Sequence, residues 1–106
     1  MQQVYTHALW RVRPGEEEAF AAAWSELADA FSALPARPLW GTLLRSTTEP
    51  SVFYSFGPWR SASDVQAMRA DPAAQKAMER VRSHCVEATP EPCTLVRHVQ
   101  LDPAPA

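Results

Sequence analysis

Apolar positions in this chain recur at two different periods, and the changes between them divide it into elements. Gln3 to Val12, "QVYTHALWRV", is rich in β-branched and aromatic residues and partly alternates polar with apolar, which predicts a strand. Pro14-Gly15 reads as a turn, and Glu16, Glu17 and Glu18 then place negative charge where a helix N-terminus favours it. Phe20, Trp24, Leu27, Phe31 and Leu34 recur at helical spacing and form one apolar stripe, which Pro35 and Pro38 end. Two further strands are predicted over Pro38–Ser46 and Ser51–Gly57, joined by a hairpin-type connection, with Gly57-Pro58 stopping the second. A second helical region starts at Ser61 or Ser63, either of which can cap it. It is interrupted at Asp71-Pro72, where a capping residue followed by proline opens a new helical segment with Ala73, Ala77, Met78 and Val81 near one face. "TPEP" (Thr89 to Pro92) predicts a loop, Cys93–Leu101 a last strand, and residues 102–106 a disordered tail.

The order is β-α-β-β-α-β, an α+β, ferredoxin-like arrangement of one antiparallel sheet with two helices on one face, within a single domain over residues 1–101. Such a sheet ordinarily turns a polar side to water. Here the first strand puts Ala8 and Trp10 on one side and Tyr5 and Leu9 on the other, and the third divides into Phe53 against Tyr54 and Phe56. Two sticky faces and no third helix predict a homodimer packed sheet on sheet.

Composition narrows the function classes. The 106 residues carry a net charge of -2, with 46 % hydrophobic and 21 % charged, as expected of an ordinary globular protein. Arginines and lysines are scattered rather than clustered, so no nucleic-acid surface is expected. No apolar run is long enough to cross a bilayer, and "MQQVYTHALW" lacks the basic-then-apolar order of a signal peptide, so the expected location is the cytoplasm. Cys85 and Cys93 read as two reduced thiols, with a disulfide across the intervening loop as the alternative. Without a Cys-x-x-Cys pair or a histidine cluster, no metal site is expected.

Three stretches, "VRPGEEEAFAAAW", "FGPWRS" and "RADPAAQKAMERV", together resemble the antibiotic-biosynthesis-monooxygenase (ABM) domain family over about Val4 to Leu101. The resemblance implies a dimeric α+β barrel and, in its quinol-type branch, an oxygenase that needs no cofactor and acts on an aromatic phenol. In that branch a Trp at the Trp59 position lines the pocket, helped by Asn, Tyr and Arg at the positions of Ser55, Val65 and about Met78, so only the Trp is kept. The resemblance to the haem-degrading branch would imply an Asn, a Trp and an iron-ligating His where Ala8, Met68 and Ala77 or Met78 stand, and this chain has none of the three, so haem degradation is not expected.

The candidate residues follow. Trp59 is either a lid at the sheet-to-helix junction or a wall for an aromatic ligand, with Ser55 as the polar group beside it; these two are the catalytic candidates. Trp10, Trp24, Met68, Met78 and Phe53 either fill the space between sheet and helices or line a cavity there for a flat substrate. His7 and His98, on first and last strands expected to be neighbours, are an alternative polar site, with a dimer-interface role as the plainer reading. His84, near a helix end, reads as structural. Arg45, Arg60, Arg69 and Arg97 read as solvated charges, one of which at a pocket mouth could hold an anionic substrate group. The leading expectation is a cofactor-independent monooxygenase of a phenolic or hydroquinone-type aromatic. The alternatives are a non-catalytic dimeric small-molecule-binding protein of the same fold and a structural or interaction module.

Overall fold

The computed structural model describes residues 3–102. The elements run β1 (Val4–Val12), α1 (Glu17–Ser32), β2 (Thr42–Arg45), β3 (Val52–Trp59), α2 (Ala62–Ala70), α3 (Pro72–Arg82) and β4 (Cys85–Thr94). The strands form one antiparallel sheet in the order β2-β3-β1-β4. This is the α+β arrangement expected, with the second helical region divided in two.

The local chemistry accounts for the breaks. Pro14-Gly15 turns the chain with Gly15 at φ 92°, a left-handed value that glycine adopts without strain. Glu17 closes the turn, its carboxylate accepting from the Gly15 N–H at 2.9 Å and the Ser51 hydroxyl at 2.6 Å. Ser61, not Ser63, caps α2 by accepting from Asp64 N–H at 3.2 Å. Asp71 ends α2 and caps α3 at once, its carboxylate accepting from Ala74 N–H at 2.9 Å, with Pro72 in the first turn where a missing N–H costs nothing.

Two boundaries depart from expectation. β3 does not stop at Gly57-Pro58 but continues through them to Trp59. The segment after α1 makes this possible. Leu39 N–H donates to the Pro58 carbonyl at 3.0 Å, so residues 33–41 act as a strap along the edge where Pro58 has no N–H to give. A side chain at Gly57 would put its Cβ 2.3 Å from the Trp40 carbonyl oxygen, so the strap lies directly on the glycine backbone. The strap uses up the first part of the strand expected over Pro38–Ser46, of which only Thr42–Arg45 pairs with β3.

The last strand is also corrected. It spans Cys85–Thr94 rather than Cys93–Leu101, and the "TPEP" read as a loop lies inside it. β4 is an edge strand, paired on one side only, with β1. Pro90 and Pro92 occupy alternate positions, so both missing N–H groups fall on the outer edge and the ladder to β1 is intact. Beyond Thr94 the chain is irregular, tied back where Leu95 N–H donates to the Gln3 carbonyl at 3.0 Å. Of the tail expected at 102–106, residues 103–106 lie outside the described residues.

The helix-covered face of the sheet holds two apolar clusters. Trp10, Phe20, Leu27, Phe53 and Val81 anchor one; Trp59, Val65, Met68 and Ala74 form the other. Phe20 stacks tilted on Phe53 with ring centroids 4.8 Å apart. The opposite face carries half-buried Tyr5, His7, Leu9, Tyr54 and Phe56 with no helix over them. Trp40 packs edge-on against Tyr5 and Phe56 there, at 6.1 and 6.0 Å between centroids.

Candidate functional site

The two core clusters leave a cavity of about 730 Å³ between the sheet and the helices, bordered by members of both. Its sheet side is built by alternation. Thr6, Ala8 and Trp10 of β1 face the helices, opposite Gly57, Ser55 and Phe53 of β3. Small residues at Ala8, Ser55 and Gly57 leave room, and the large side chains stand around it: Trp10, Trp24, Trp59, Met68 and Met78 all line the space. That volume is in the range of small-molecule sites.

Both indoles on the sheet side are fixed by hydroxyls. Trp10 Nε1–H donates to Ser55 Oγ at 2.9 Å, and Trp59 Nε1–H donates to Thr6 Oγ1 at 2.9 Å. Trp10 and Trp59 are each 1 % exposed, so they are fixed wall rather than mobile lid. Phe31 of α1 sets the tilt of Trp59 from the other side, edge-on at 5.5 Å. The committed N–H groups have a chemical consequence. Neither tryptophan has a donor left for a ligand. Ser55 is 8 % exposed and borders the cavity, and with its oxygen accepting from Trp10 its own O–H is left to donate, as is that of Thr6, whose oxygen accepts from Trp59.

The remaining candidates sort by position. Phe53 does not line the cavity; it is buried under Phe20, with the Arg45 guanidinium 5.4 Å from its ring centre. His7 and His98 are not neighbours, a correction that follows from the shifted last strand: His7 stands opposite Glu91, and His98 lies beyond the end of β4, exposed beside Arg60 and Arg97. His7 touches the cavity rim, but alternation turns its side chain to the face opposite Thr6 and Ala8. His84 is a structural contact, its Nδ1 3.0 Å from a Glu16 carboxylate oxygen. Cys85 and Cys93 are free; burial pushes the Cys85 thiol up from its ordinary pKa, which disfavours the reactive thiolate. Among the described residues no three His, Cys, Asp or Glu side chains are grouped to hold a metal ion.

Three contributors were missed from the sequence: Thr6, Phe31 and the strap. Thr6 was legible in principle, since it shares the helix-facing side of β1 with Ala8 and Trp10. The strap was hidden because its residues look like the start of a strand.

The model of the antibiotic biosynthesis monooxygenase family matches residues 3–80. The chain belongs to that family. Solved structures agree on the fold. SnoaB, a cofactor-independent oxygenase from Streptomyces nogalater, superimposes with a TM-score of 0.77 at 18% identity, covering 95% of this chain and 98% of SnoaB. A candidate antibiotic biosynthesis monooxygenase from Bordetella bronchiseptica gives 0.78 at 18% identity over 93% of this chain and 100% of its own. One from Chloroflexus aurantiacus J-10-fl gives 0.74 at 19% identity over 94% and 99%. No curated protein matches the sequence. ABM membership makes this a monooxygenase-like fold, and at such identities the likeness speaks for architecture, leaving the chemistry to the residues of the site.

Proposed function

We propose that this chain is a cofactor-independent monooxygenase that oxidises a phenolic or hydroquinone-type aromatic held between sheet and helices. One observation carries the reading: a cavity of about 730 Å³ walled by tryptophan and methionine and bordered by the buried hydroxyl of Ser55, whose O–H is left to donate. The ring would lie against the indole walls and direct its oxygen to Ser55. A donor there stabilises the phenolate over the phenol, and the phenolate is the form electron-rich enough to react with dioxygen. The balance needs only the two reactants. A phenol with a free para carbon and one O2 give a quinone and one water; O2 accepts four electrons, one oxygen enters the ring and the other leaves as water with the two displaced hydrogens. The protein supplies orientation and exclusion of water, with Trp59 and Ser55 as the residues touching substrate and Trp10, Trp24, Met68 and Met78 shaping its berth.

A second reading, a binding protein without turnover, is favoured by Val65. The resemblance puts a phenol-holding Tyr there, and this chain has a side chain 3 % exposed in the core with no hydroxyl to offer. Oxygen uptake with a panel of hydroquinones and anthrones separates the two. Turnover supports the oxygenase; tight binding without oxygen uptake supports the binder.

The uncovered sheet face supports a homodimer, the second copy seated on Tyr5, Leu9, Tyr54 and Phe56. Light scattering at micromolar concentration tests this, and a monomer there refutes it. Among the described residues no helix is long and apolar enough to cross a membrane.

A further inference from the structure

The uncovered sheet face is apolar in its centre and charged only along the border between β1 and β4. Alternation puts Tyr5, His7, Leu9 and Arg11 of β1 on it, with Glu91 of β4 opposite His7 and Glu87 opposite Arg11. Arg11 is spent on Glu87, 3.7 Å away. Glu91 has no such partner, and among the described residues neither it nor His7 has an ion pair in the single chain. The two stand directly across the ladder, where Cβ atoms are about 5 Å apart, so rotation of the side chains alone can bring imidazole and carboxylate together. On the other flank of His7, β3 offers Phe56 with Tyr54 beside it, and Trp40 of the strap packs on Phe56. β2 adds Thr42 and Leu44. Tyr5, Tyr54 and Cys93 are the remaining titratable groups of this face, and none of them has a positive charge to give.

In the single chain the Glu91 side chain is exposed and water solvates it. A second copy seated on the face removes that water, and a buried carboxylate without a countercharge is costly. We propose that the dimer closes with His7 protonated against Glu91, so that association of two copies takes up protons and is controlled by pH. The inference rests on the sheet-on-sheet dimer proposed above. Its sign follows from linkage: the dimer holds more protons than two separate chains, so the affinity between copies is greatest at low pH and is lost as pH rises through the range where histidine changes charge. With one His7 per copy, up to two protons accompany each association.

Sedimentation velocity over a dilution series gives the dimer dissociation constant on the two sides of the histidine range, at about pH 6 and about pH 7.5. The unaltered protein is expected to dissociate about tenfold more readily at the higher pH, a difference of about 1.4 kcal/mol. Glu91→Gln removes the charge that needs a partner. This variant should dimerise equally well at both pH values and, at the higher one, more tightly than the unaltered protein, a gain that misfolding cannot produce. His7→Gln leaves the carboxylate without its countercharge and should dimerise weakly at both. Equal dissociation constants at the two pH values in the unaltered protein, or a pH dependence that persists in Glu91→Gln, overturn the proton linkage and leave the dimer standing. A monomer at both pH values throughout the micromolar range overturns both.

Discussion

Replacing Ser55 by alanine tests the polar centre of the site, and its size can be worked out from the structure. The change removes the only acceptor seen for Trp10 Nε1–H, a 2.9 Å hydrogen bond to an indole that is 1 % exposed. A buried donor left without a partner costs about 1–3 kcal/mol. Ser55 borders the cavity, so water can enter the vacated place and recover part of the bond, which sets the expected loss at about 1–2 kcal/mol. For a domain of this size that corresponds to a fall in Tm of roughly 4–8 °C per kcal/mol. Urea unfolding followed by tryptophan fluorescence measures it, with an unchanged m-value showing that only stability moved. The cycle with Trp10→Phe isolates the bond: once the N–H is gone, Ser55→Ala should cost much less, giving a coupling of about 1 kcal/mol. A Ser55→Ala loss below about 0.5 kcal/mol together with no coupling would refute the claim that this hydroxyl holds the wall. Turnover untouched by the same change would remove Ser55 from the mechanism.

Thr6→Val keeps the shape of the strand but leaves Trp59 Nε1–H unpaired; a loss of about 1 kcal/mol in urea unfolding and a shifted emission maximum are expected, and neither occurs if Thr6 is incidental. Gly57→Ala drives a Cβ to 2.3 Å from the Trp40 carbonyl oxygen, so the strap must move; a cost of about 1–3 kcal/mol and weaker ligand binding are expected by thermal melting and titration. Glu17 has its carboxyl pKa lowered, first by the Ser51 hydroxyl. Its contribution is therefore present above the ordinary carboxylate pKa and lost as pH falls through the lowered folded value. Glu17→Gln should flatten the fall in stability between about pH 5 and pH 2, and an unchanged acid limb would refute the assignment.

The parts of the fold written in short-range chemistry were legible from the chain. The stripe from Phe20 to Phe31 and the Asp71-Pro72 cap each depend on neighbours within one or two turns, and both helices formed there, the first ending at Ser32, before the Leu34 that the stripe included. What failed depended on neighbours distant in sequence. Gly57-Pro58 is a strand stop by local rules, and it is overridden by a strap that lies on Gly57 and hydrogen-bonds Pro58. The prolines of "TPEP" mark a loop by local rules, and they are tolerated because β4 has a neighbour on one side only. The pairing of His7 with His98 rested on that misplaced strand. The tryptophans and methionines around the cavity could be named from the sequence, but whether they filled the space or enclosed it depended on the small residues opposite, Ala8, Ser55 and Gly57, which carry no periodic signal.

The same two prolines decide how far this sheet can grow. A strand from another molecule arriving at the free side of β4 would find carbonyl oxygens at Pro90 and Pro92 and no hydrogens to match its own acceptors. It could form at best half a ladder at the middle of the strand. Crowded copies of the chain are thus denied a seed for fibrous stacking along that border, and the dimer proposed on the broad aromatic surface would be a contact that closes on itself and stops.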